Sequence, residues 1–222
     1  IICIATYSLR FAGNAQAFLD IVNRELGISV NIIPGEKEAQ LITDSVRAIE
    51  QVDKFFTFDI GGGSIEFSVV DNKLVDSISK NIGIINLATL LKKQSHSSDI
   101  HMSNMLDDVR DIVSSNLSEL RERHDLSQYP LICTGGSLVI ANEILKVGNV
   151  LKYEIIFDFF EKIHPMTYSE RIQFGIPPGK IDVFDVALAV TLAVMDISGK
   201  RVITVSRAGV RHGAAINHHL FL

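Results

Sequence analysis

The chain has 222 residues, of which 47% are hydrophobic and 21% charged, and its formal net charge is −5. That composition is typical of a globular protein long enough to bury a sizeable core. The negative charge argues against a general binder of nucleic acid or anionic membrane, although it leaves a local basic pocket open.

Three features bear on the cellular setting. Both cysteines, Cys3 and Cys133, lie in apolar runs, so we expect buried free thiols in a reducing compartment rather than a disulfide. The most apolar stretch, Val183 to Met195, is too short to cross a bilayer and contains Asp185. We therefore expect a cytoplasmic protein. The chain opens without Met inside a strand-like run, and we expect further sequence to precede it.

The first quarter of the chain alternates strand-like and helix-like segments. Residues 1–5 are apolar and predict a strand, and a helix is predicted over residues 14–26, before Gly27. Residues 28–33 are rich in β-branched side chains and predict a second strand. A helix over residues 36–49 is expected to follow the Pro34-Gly35 turn.

The next segments predict an antiparallel meander. Residues 55–60 form an apolar strand that runs straight into three glycines. Residues 65–70 alternate apolar and polar side chains, and residues 74–79 return after an Asp-Asn-Lys turn. Apolar residues at helical spacing then predict a long amphipathic helix over residues 102–123.

The remaining sequence predicts a mixed series of strands and helices. In order these are a strand over 130–133, a helix to about Leu145, a helix over 157–163, a short helix opened by a capping box at Thr167–Glu170, an apolar helix capped by Asp182 and ending at Gly199, a strand over 201–206 and a helix from Val210. The fold class indicated is mixed α/β, with an antiparallel hairpin around the glycines and helices flanking the sheet.

The glycine run Gly61-Gly62-Gly63 followed by Ser64 is the first candidate site. Consecutive glycines let backbone amides point into one concavity that binds an anion such as phosphate, and the serine adds a hydroxyl donor. A sharp hairpin turn is the alternative interpretation. Two residues normally suffice for such a turn, so the spacing favours the phosphate loop.

Two carboxylates flank this loop. Asp59 ends a buried strand, where an unpaired carboxylate is costly, and Mg²⁺ with phosphate oxygens would give it a partner. Glu66 lies across the hairpin, and strand alternation returns its side chain toward the same pocket. A solvated strand face remains the alternative for Glu66.

Other charged and glycine-rich segments leave alternatives open. Gly135 and Gly136 lie between a strand and a helix, where they form either an anion site at the helix N-terminus or a plain turn. Glu36 and Glu38 open a helix, and from spacing alone they complement its dipole. Arg211, near the start of the last helix, is either an anion contact or surface charge.

Taken in order, seven segments resemble the exopolyphosphatase and guanosine pentaphosphate phosphohydrolase family, within the actin and sugar-kinase superfamily. Each alone is weak, but together they cover most of the chain. They are ATYSLRFAGNAQAFL (5–19), PGEKEAQLI (34–42), DIGGGSIEFSVV (59–70), GIINL (83–87), CTGGSL (133–138), KIDVFDVALA (180–189) and VSRAGVRHGAAI (205–216).

The resemblance implies ribonuclease-H-like, actin-like ATPase domains on either side of a cleft. Residues 1–48 would be the C-terminal part of a first domain, whose N-terminal part is missing from this chain. Residues 49–222 would be the second domain, with the last helix packing back toward the first. The implied activity is hydrolysis of a terminal phosphoanhydride of polyphosphate or of pppGpp. A homodimer is also implied.

The resemblance also assigns residues. Glu38, with Glu36 as the less favoured choice, would orient and deprotonate the attacking water, which replaces the helix-dipole interpretation. Asp59 and Glu66 would contact Mg²⁺, and Gly61 to Ser64 would contact phosphate. Arg10 matches a basic residue near the cleft.

Some features depart from the family pattern. A first phosphate loop of Asp-x-Gly-Ser-Asn-Ser type has no counterpart here, and Asn86 and Lys180 stand where arginine is expected from the resemblance. Two rival functions therefore remain: an ATP-dependent small-molecule kinase of the same superfamily, and a polyphosphate or nucleotide sensor without catalysis. Residue types alone do not rank polyphosphate against pppGpp.

Overall fold

The computed structural model describes residues 1–94 and 102–221. It opens with a small unit in which two short parallel strands, β1 (Cys3–Ala5) and β2 (Val30–Ile32), are joined by α1 (Tyr7–Phe11) and α2 (Ala15–Leu26). Both strands are shorter than predicted, and α1 was not predicted. Gly27 ends α2 as expected, in the left-handed conformation that glycine adopts without strain.

The main body is built on a six-stranded mixed sheet with the order β5-β4-β3-β6-β8-β7. Its strands are β3 (Lys54–Ile60), β4 (Ile65–Asp71), β5 (Lys73–Lys80), β6 (Leu131–Thr134), β7 (Val150–Lys152) and β8 (Val202–Val205). The predicted antiparallel meander β3-β4-β5 is confirmed, and β6 and β8 continue the sheet parallel to β3. The short edge strand β7 was not predicted.

Helices flank this sheet. Their bounds are α3 (Gly35–Glu50), α4 (Ile84–Gln94), α5 (Met102–Arg123), α6 (Gly136–Leu145), α7 (Tyr153–Ile163), α8 (Tyr168–Gln173), α9 (Phe184–Ile197) and α10 (Val210–Ile216). The capping box of α8 is present as predicted, whereas α4 was missed. Among the described helices, none is long and apolar enough to span a membrane.

The predicted cap of the apolar helix α9 is wrong. A 3-10 turn over Pro178–Val183 precedes the helix, and Val183 occupies the N-cap position without a side-chain hydrogen bond. Asp182 is therefore in the last turn of the 3-10 segment, exposed to solvent. The proline pair before it starts this tighter turn and moves the helix start past the aspartate.

Strand alternation divides the side chains of β3 between two faces. Phe56 and Phe58 point into the larger core, which is completed by α5, α7 and α9, and nearly all of α9 is buried there. Because α9 is covered on all sides, its sequence is apolar all round. Phe55 and Asp59 belong to the opposite face, where Ile42 of α3 packs.

Helix α3 is held on that face by the end of the chain. Gly213 of α10 lies so close to α3 that a Cβ on it would be 2.0 Å from the Leu41 carbonyl oxygen. Three hydrogen bonds add to this contact: Gly209 N to Ser45 Oγ (3.0 Å), Asn217 Nδ2 to Asp44 Oδ2 (3.0 Å) and Ser206 Oγ to Glu50 Oε1 (2.6 Å). The domain boundary after residue 48 stays a prediction.

Candidate active site

The two predicted glycine loops lie side by side at one edge of the sheet. Asp59 at the end of β3 is the register partner of Thr134 at the end of the parallel strand β6. Gly135 follows with φ +112°, and a Cβ there would lie 2.8 Å from the carbonyl oxygen of Ile60. A glycine is required at this position, because both the conformation and the close approach exclude a side chain.

Three carboxylates converge beside these loops. Asp59 and Glu66 are direct partners across the β3–β4 hairpin, so their side chains share a face, as predicted. Glu38, buried in the first turn of α3, approaches from the helix that covers this face. Its negative charge contributes to a raised pKa at both other carboxylates, which places the three groups in one electrostatic site.

The Asp59 carboxyl has a pKa of about 6, well above its ordinary 3.8. Burial is the largest cause, and the charge of Glu38 adds to it. Two groups oppose the rise: the Thr134 hydroxyl, which donates a hydrogen bond to Oδ1, and the positive charge of Lys180. Neither Thr134 nor Lys180 was assigned a role from the sequence, although Thr134 immediately precedes the second glycine pair.

Glu66 is the more deeply buried carboxylate, at 2% exposure. Its Oε1 accepts a hydrogen bond from Ser79 Oγ at 2.8 Å, while Oε2 is buried with no hydrogen bond of regular geometry. The hydroxyls of Ser64 and Ser79 both act to lower the pKa of this carboxyl. Burial, followed by the charge of Glu38, raises its pKa to about 7. A buried oxygen without a donor is costly, and a cation would supply the missing interaction.

The described residues contain no group of three His, Cys, Asp or Glu side chains able to hold a metal ion. Asp59 and Glu66 therefore form at most a two-carboxylate site. Such a pair suits Mg²⁺, which commonly binds one or two carboxylates and completes its shell with water and phosphate oxygens.

The loop itself has the arrangement of an anion site. The Gly61 amide donates to Ser64 O within the turn, whereas the amides of Gly62, Gly63 and Ser64 donate to no acceptor among the described residues. The loop carbonyls are used differently: those of residues 61, 62 and 63 accept from the amides of Ile84, Ile85 and Gly83. The start of α4 thus fixes the loop from behind, leaving its amides available.

The predicted basic residues lie on the Glu38 side of the site. Arg10 Nη1 is 2.9 Å from Glu38 Oε2 and 2.7 Å from Ile33 O. Arg211 is exposed on α10, and with Glu38 it lines an open cleft of about 890 Å³ against residues 1–6. The structure therefore brings Arg10 into contact with Glu38, leaves Arg211 in the same cleft without a contact to it, and places both glycine loops beside Asp59.

The second loop contributes the N-terminus of α6. Gly136 begins this ten-residue helix, and the Ser137 hydroxyl is buried without a hydrogen-bond partner. Two further residues lie next to the first loop: Tyr7, which sequence reasoning missed, and Asn86, which it noted only as a departure from the family pattern. Asn86 Nδ2 lies 3.0 Å from Tyr7 Oη and 2.8 Å from Gly63 O.

Comparison with known proteins shows one family over almost the whole chain. The profile of the Ppx/GppA phosphatase family matches residues 1–220. A bifunctional 3-dehydroquinate synthase/phosphatase of Fusobacterium nucleatum is 28% identical over 97% of this chain and 34% of its own length. A putative exopolyphosphatase of Haemophilus influenzae is 24% identical over 95% of this chain and 66% of its own. The chain thus spans less than two thirds of either relative.

A solved structure supports the fold. The crystal structure of the Aquifex aeolicus Ppx/GppA family member superimposes with a TM-score of 0.81 at 24% identity, covering 99% of this chain and 74% of that one. At this identity the likeness establishes the fold. The ribonuclease-H-like, actin-like ATPase architecture expected from the sequence is therefore confirmed.

Proposed function

The chain belongs to the Ppx/GppA phosphatase family, and from this we propose that its protein hydrolyses a terminal phosphoanhydride bond. The products would be orthophosphate together with a shortened polyphosphate, or orthophosphate together with ppGpp from pppGpp. The observation that carries the proposal is the convergence of three carboxylates on a glycine loop with three available amides. The loop amides of such a site can bind phosphate, and a carboxylate beside them can accept a proton.

Glu38 is the proposed general base. Arg10 engages its Oε2, whereas Oε1 has no partner among the described residues and is available to a water molecule. The water oxygen bonds to the terminal phosphorus as the bond to the bridging oxygen breaks, and Glu38 accepts the water's proton. No covalent nucleophile is needed, because phosphoryl transfer depends mainly on positioning and charge.

Asp59 and Glu66 would hold Mg²⁺. The partnerless Oε2 of Glu66 and the raised pKa values of both groups fit a cation at this position. When bound, the ion supplies positive charge that offsets the charge of the phosphoryl oxygens. The amides of residues 62–64 would donate hydrogen bonds to the same oxygens. A cytoplasmic location and a homodimer stay predictions.

The test is phosphate release by the full-length protein from polyphosphate and from pppGpp, with Mg²⁺ present. We expect Glu38→Gln to lower kcat by about 100-fold or more, with little change in KM, since the loop amides remain. The matched control is Glu36→Gln, an exposed neighbour in the same helical turn, which should keep its rate.

Three outcomes would contradict the proposal. Unchanged turnover in Glu38→Gln would remove that residue from the mechanism. ATP-dependent phosphorylation of small sugars or acids without phosphate release would indicate the kinase alternative. Binding of polyphosphate or pppGpp by the wild type without release would indicate a sensor.

A further inference from the structure

The third glycine of the phosphate loop is packed against an aromatic ring. A Cβ built on Gly63 would lie 2.0 Å from Cδ1 and 2.2 Å from Cε1 of Tyr7. The φ angle of Gly63 is outside the left-handed region, so its backbone conformation is open to other residues. The Tyr7 ring is therefore what excludes a side chain at this position.

Asn86 connects Gly63 and Tyr7 to helix α4. Its Nδ2 lies 2.8 Å from Gly63 O and 3.0 Å from Tyr7 Oη, with Asn81 O further away at 3.3 Å. Asn86 belongs to the first turn of α4, whose leading amides already bond to the loop carbonyls. One side-chain amide thus joins α4, the phosphate loop and the opening segment of the chain.

The helix that begins at Tyr7 also reaches the proposed base. Arg10 lies three residues after Tyr7, on the same face of α1, and forms the ion pair with Glu38. The Tyr7 ring also packs against Phe11, with ring centroids 4.8 Å apart. A single short helix therefore contacts the phosphate loop through one side chain and the base through another.

We propose that Tyr7 and Asn86 are positioning residues, a latch that fixes the phosphate loop relative to Glu38. The catalytic consequence rests on the proposed hydrolase function. With the latch formed, the free amides of residues 62–64 stay at a constant distance from the base. Without it, the loop still has its amides, but the phosphoryl group that they hold is no longer aligned with the attacking water.

The first experiment measures phosphate release by full-length Tyr7→Phe, Asn86→Ala and the double variant. Tyr7→Phe keeps the ring and loses one hydrogen bond, so we expect kcat to fall about fivefold. Asn86→Ala loses the contacts to both Gly63 and Tyr7 and should fall further, by about tenfold or more. The double variant should be no worse than Asn86→Ala alone, because both changes remove the same hydrogen bond.

Rates are taken per folded protein, from the melting curve of each variant, because a loss of folded fraction also lowers apparent kcat at unchanged KM. On that basis kcat should still fall in each variant, while KM stays close to the wild-type value. The control is Tyr168→Phe, the same substitution at an exposed tyrosine of α8, and it should match the wild type. If Tyr7→Phe and Asn86→Ala both keep kcat within twofold of an active wild type, the positioning role is wrong.

The second experiment uses Gly63→Ala with and without Tyr7→Ala. In the presence of Tyr7 the alanine should lower the melting temperature and weaken the binding of inorganic triphosphate with Mg²⁺. In the Tyr7→Ala background the same substitution should have little further effect on either quantity. Gly135→Ala is the control for specificity: its cost comes from a φ of +112° and the Ile60 carbonyl, so Tyr7→Ala should not relieve it.

The two experiments separate the latch from the hydrolase proposal. If the wild type releases no phosphate from either substrate, the proposed function fails, while the melting and triphosphate-binding cycle still decides whether Tyr7 controls Gly63. If Gly63→Ala is equally damaging with and without Tyr7, the loop needs that glycine for its own reasons and the latch is refuted.

Discussion

Replacing Glu66 by glutamine should make the metal-free fold relatively more stable at pH 8 than at pH 5, and should weaken its stabilisation by Mg²⁺. The folded protein must keep this carboxylate ionised above neutral pH although it is 2% exposed and faces Glu38 and Asp59. Its pKa is raised from 4.5 to about 7, chiefly by burial. A raised carboxyl pKa means that the folded state binds the proton more tightly, so its contribution to stability falls as pH rises from about 4.5 to 7.

The size of the effect follows from the two pKa values. The ionised Glu66 costs the metal-free fold less than about 1 kcal/mol at pH 5 and about 3 kcal/mol at pH 8. A glutamine keeps an oxygen for the Ser79 hydroxyl, but its amide nitrogen takes the place of the partnerless Oε2, at a cost of about 1–3 kcal/mol. That cost is the same at both pH values. The free energy of unfolding of the variant, relative to that of the wild type, should therefore rise by about 2 to 3 kcal/mol from pH 5 to pH 8.

The assay is urea unfolding of both proteins in EDTA from pH 5 to pH 8. The control is Glu161→Gln, the same substitution at an exposed position of α7, where the carboxylate is not buried. Adding Mg²⁺ at pH 8 should raise the unfolding free energy of the wild type and should do so much less for Glu66→Gln. A constant difference between Glu66→Gln and wild type across the pH range would refute the burial argument, and equal gains from Mg²⁺ would remove Glu66 from the metal site.

Three further predictions concern the supports of the site and the core. Thr134→Val removes the hydroxyl that donates to Asp59, so the pKa of that carboxyl should rise and the acid limb of the pH–rate profile should move up by about 1 pH unit. The control is Thr191→Val, whose hydroxyl bonds only within α9, and it should leave the profile unchanged. Arg171→Met leaves Asp185 buried without the guanidinium 2.8 Å away and should cost about 3–5 kcal/mol in urea unfolding, against little for the exposed Arg24→Met. Gly213→Ala forces α10 away from the Leu41 carbonyl and should lower the free energy of unfolding by about 2 kcal/mol or more. Gly179→Ala, with no atom within 4 Å of the new Cβ, should be near neutral. An equally neutral Gly213→Ala would contradict the close packing of α10 on α3.

The features that local patterns determine were predictable. Alternation in the β3–β4 hairpin placed Asp59 and Glu66 on one face, because the seven-residue separation spans a turn that makes them register partners. The uniformly apolar sequence of α9 indicated a buried helix for a similar reason, since a helix covered on all sides needs no polar face.

The missed elements depend on contacts distant in sequence. The amides at the start of helix α4 donate to carbonyls of the phosphate loop, about twenty residues earlier in the chain. The start of this helix therefore depends on a tertiary contact that no local sequence signal reveals. Strand β7 has three residues and exists through its pairing with β8. The place of Glu38 follows from how α3 lies across the sheet, which no spacing rule gives; a family resemblance supplied it instead.

The seating of α3 by the chain's last helix also bears on the order of folding. The hydrogen bonds that hold α3 to the segment after β8 join residues 156, 164 and 173 positions apart. Contacts of such separation close very large loops and form late, after local hairpins and helices. During synthesis α3 can pack on the meander through Ile42 and Phe55 before the last helix exists. The contacts of α10 are then added to α3 only when the chain is nearly finished, so the Glu38 side of the site would be completed last.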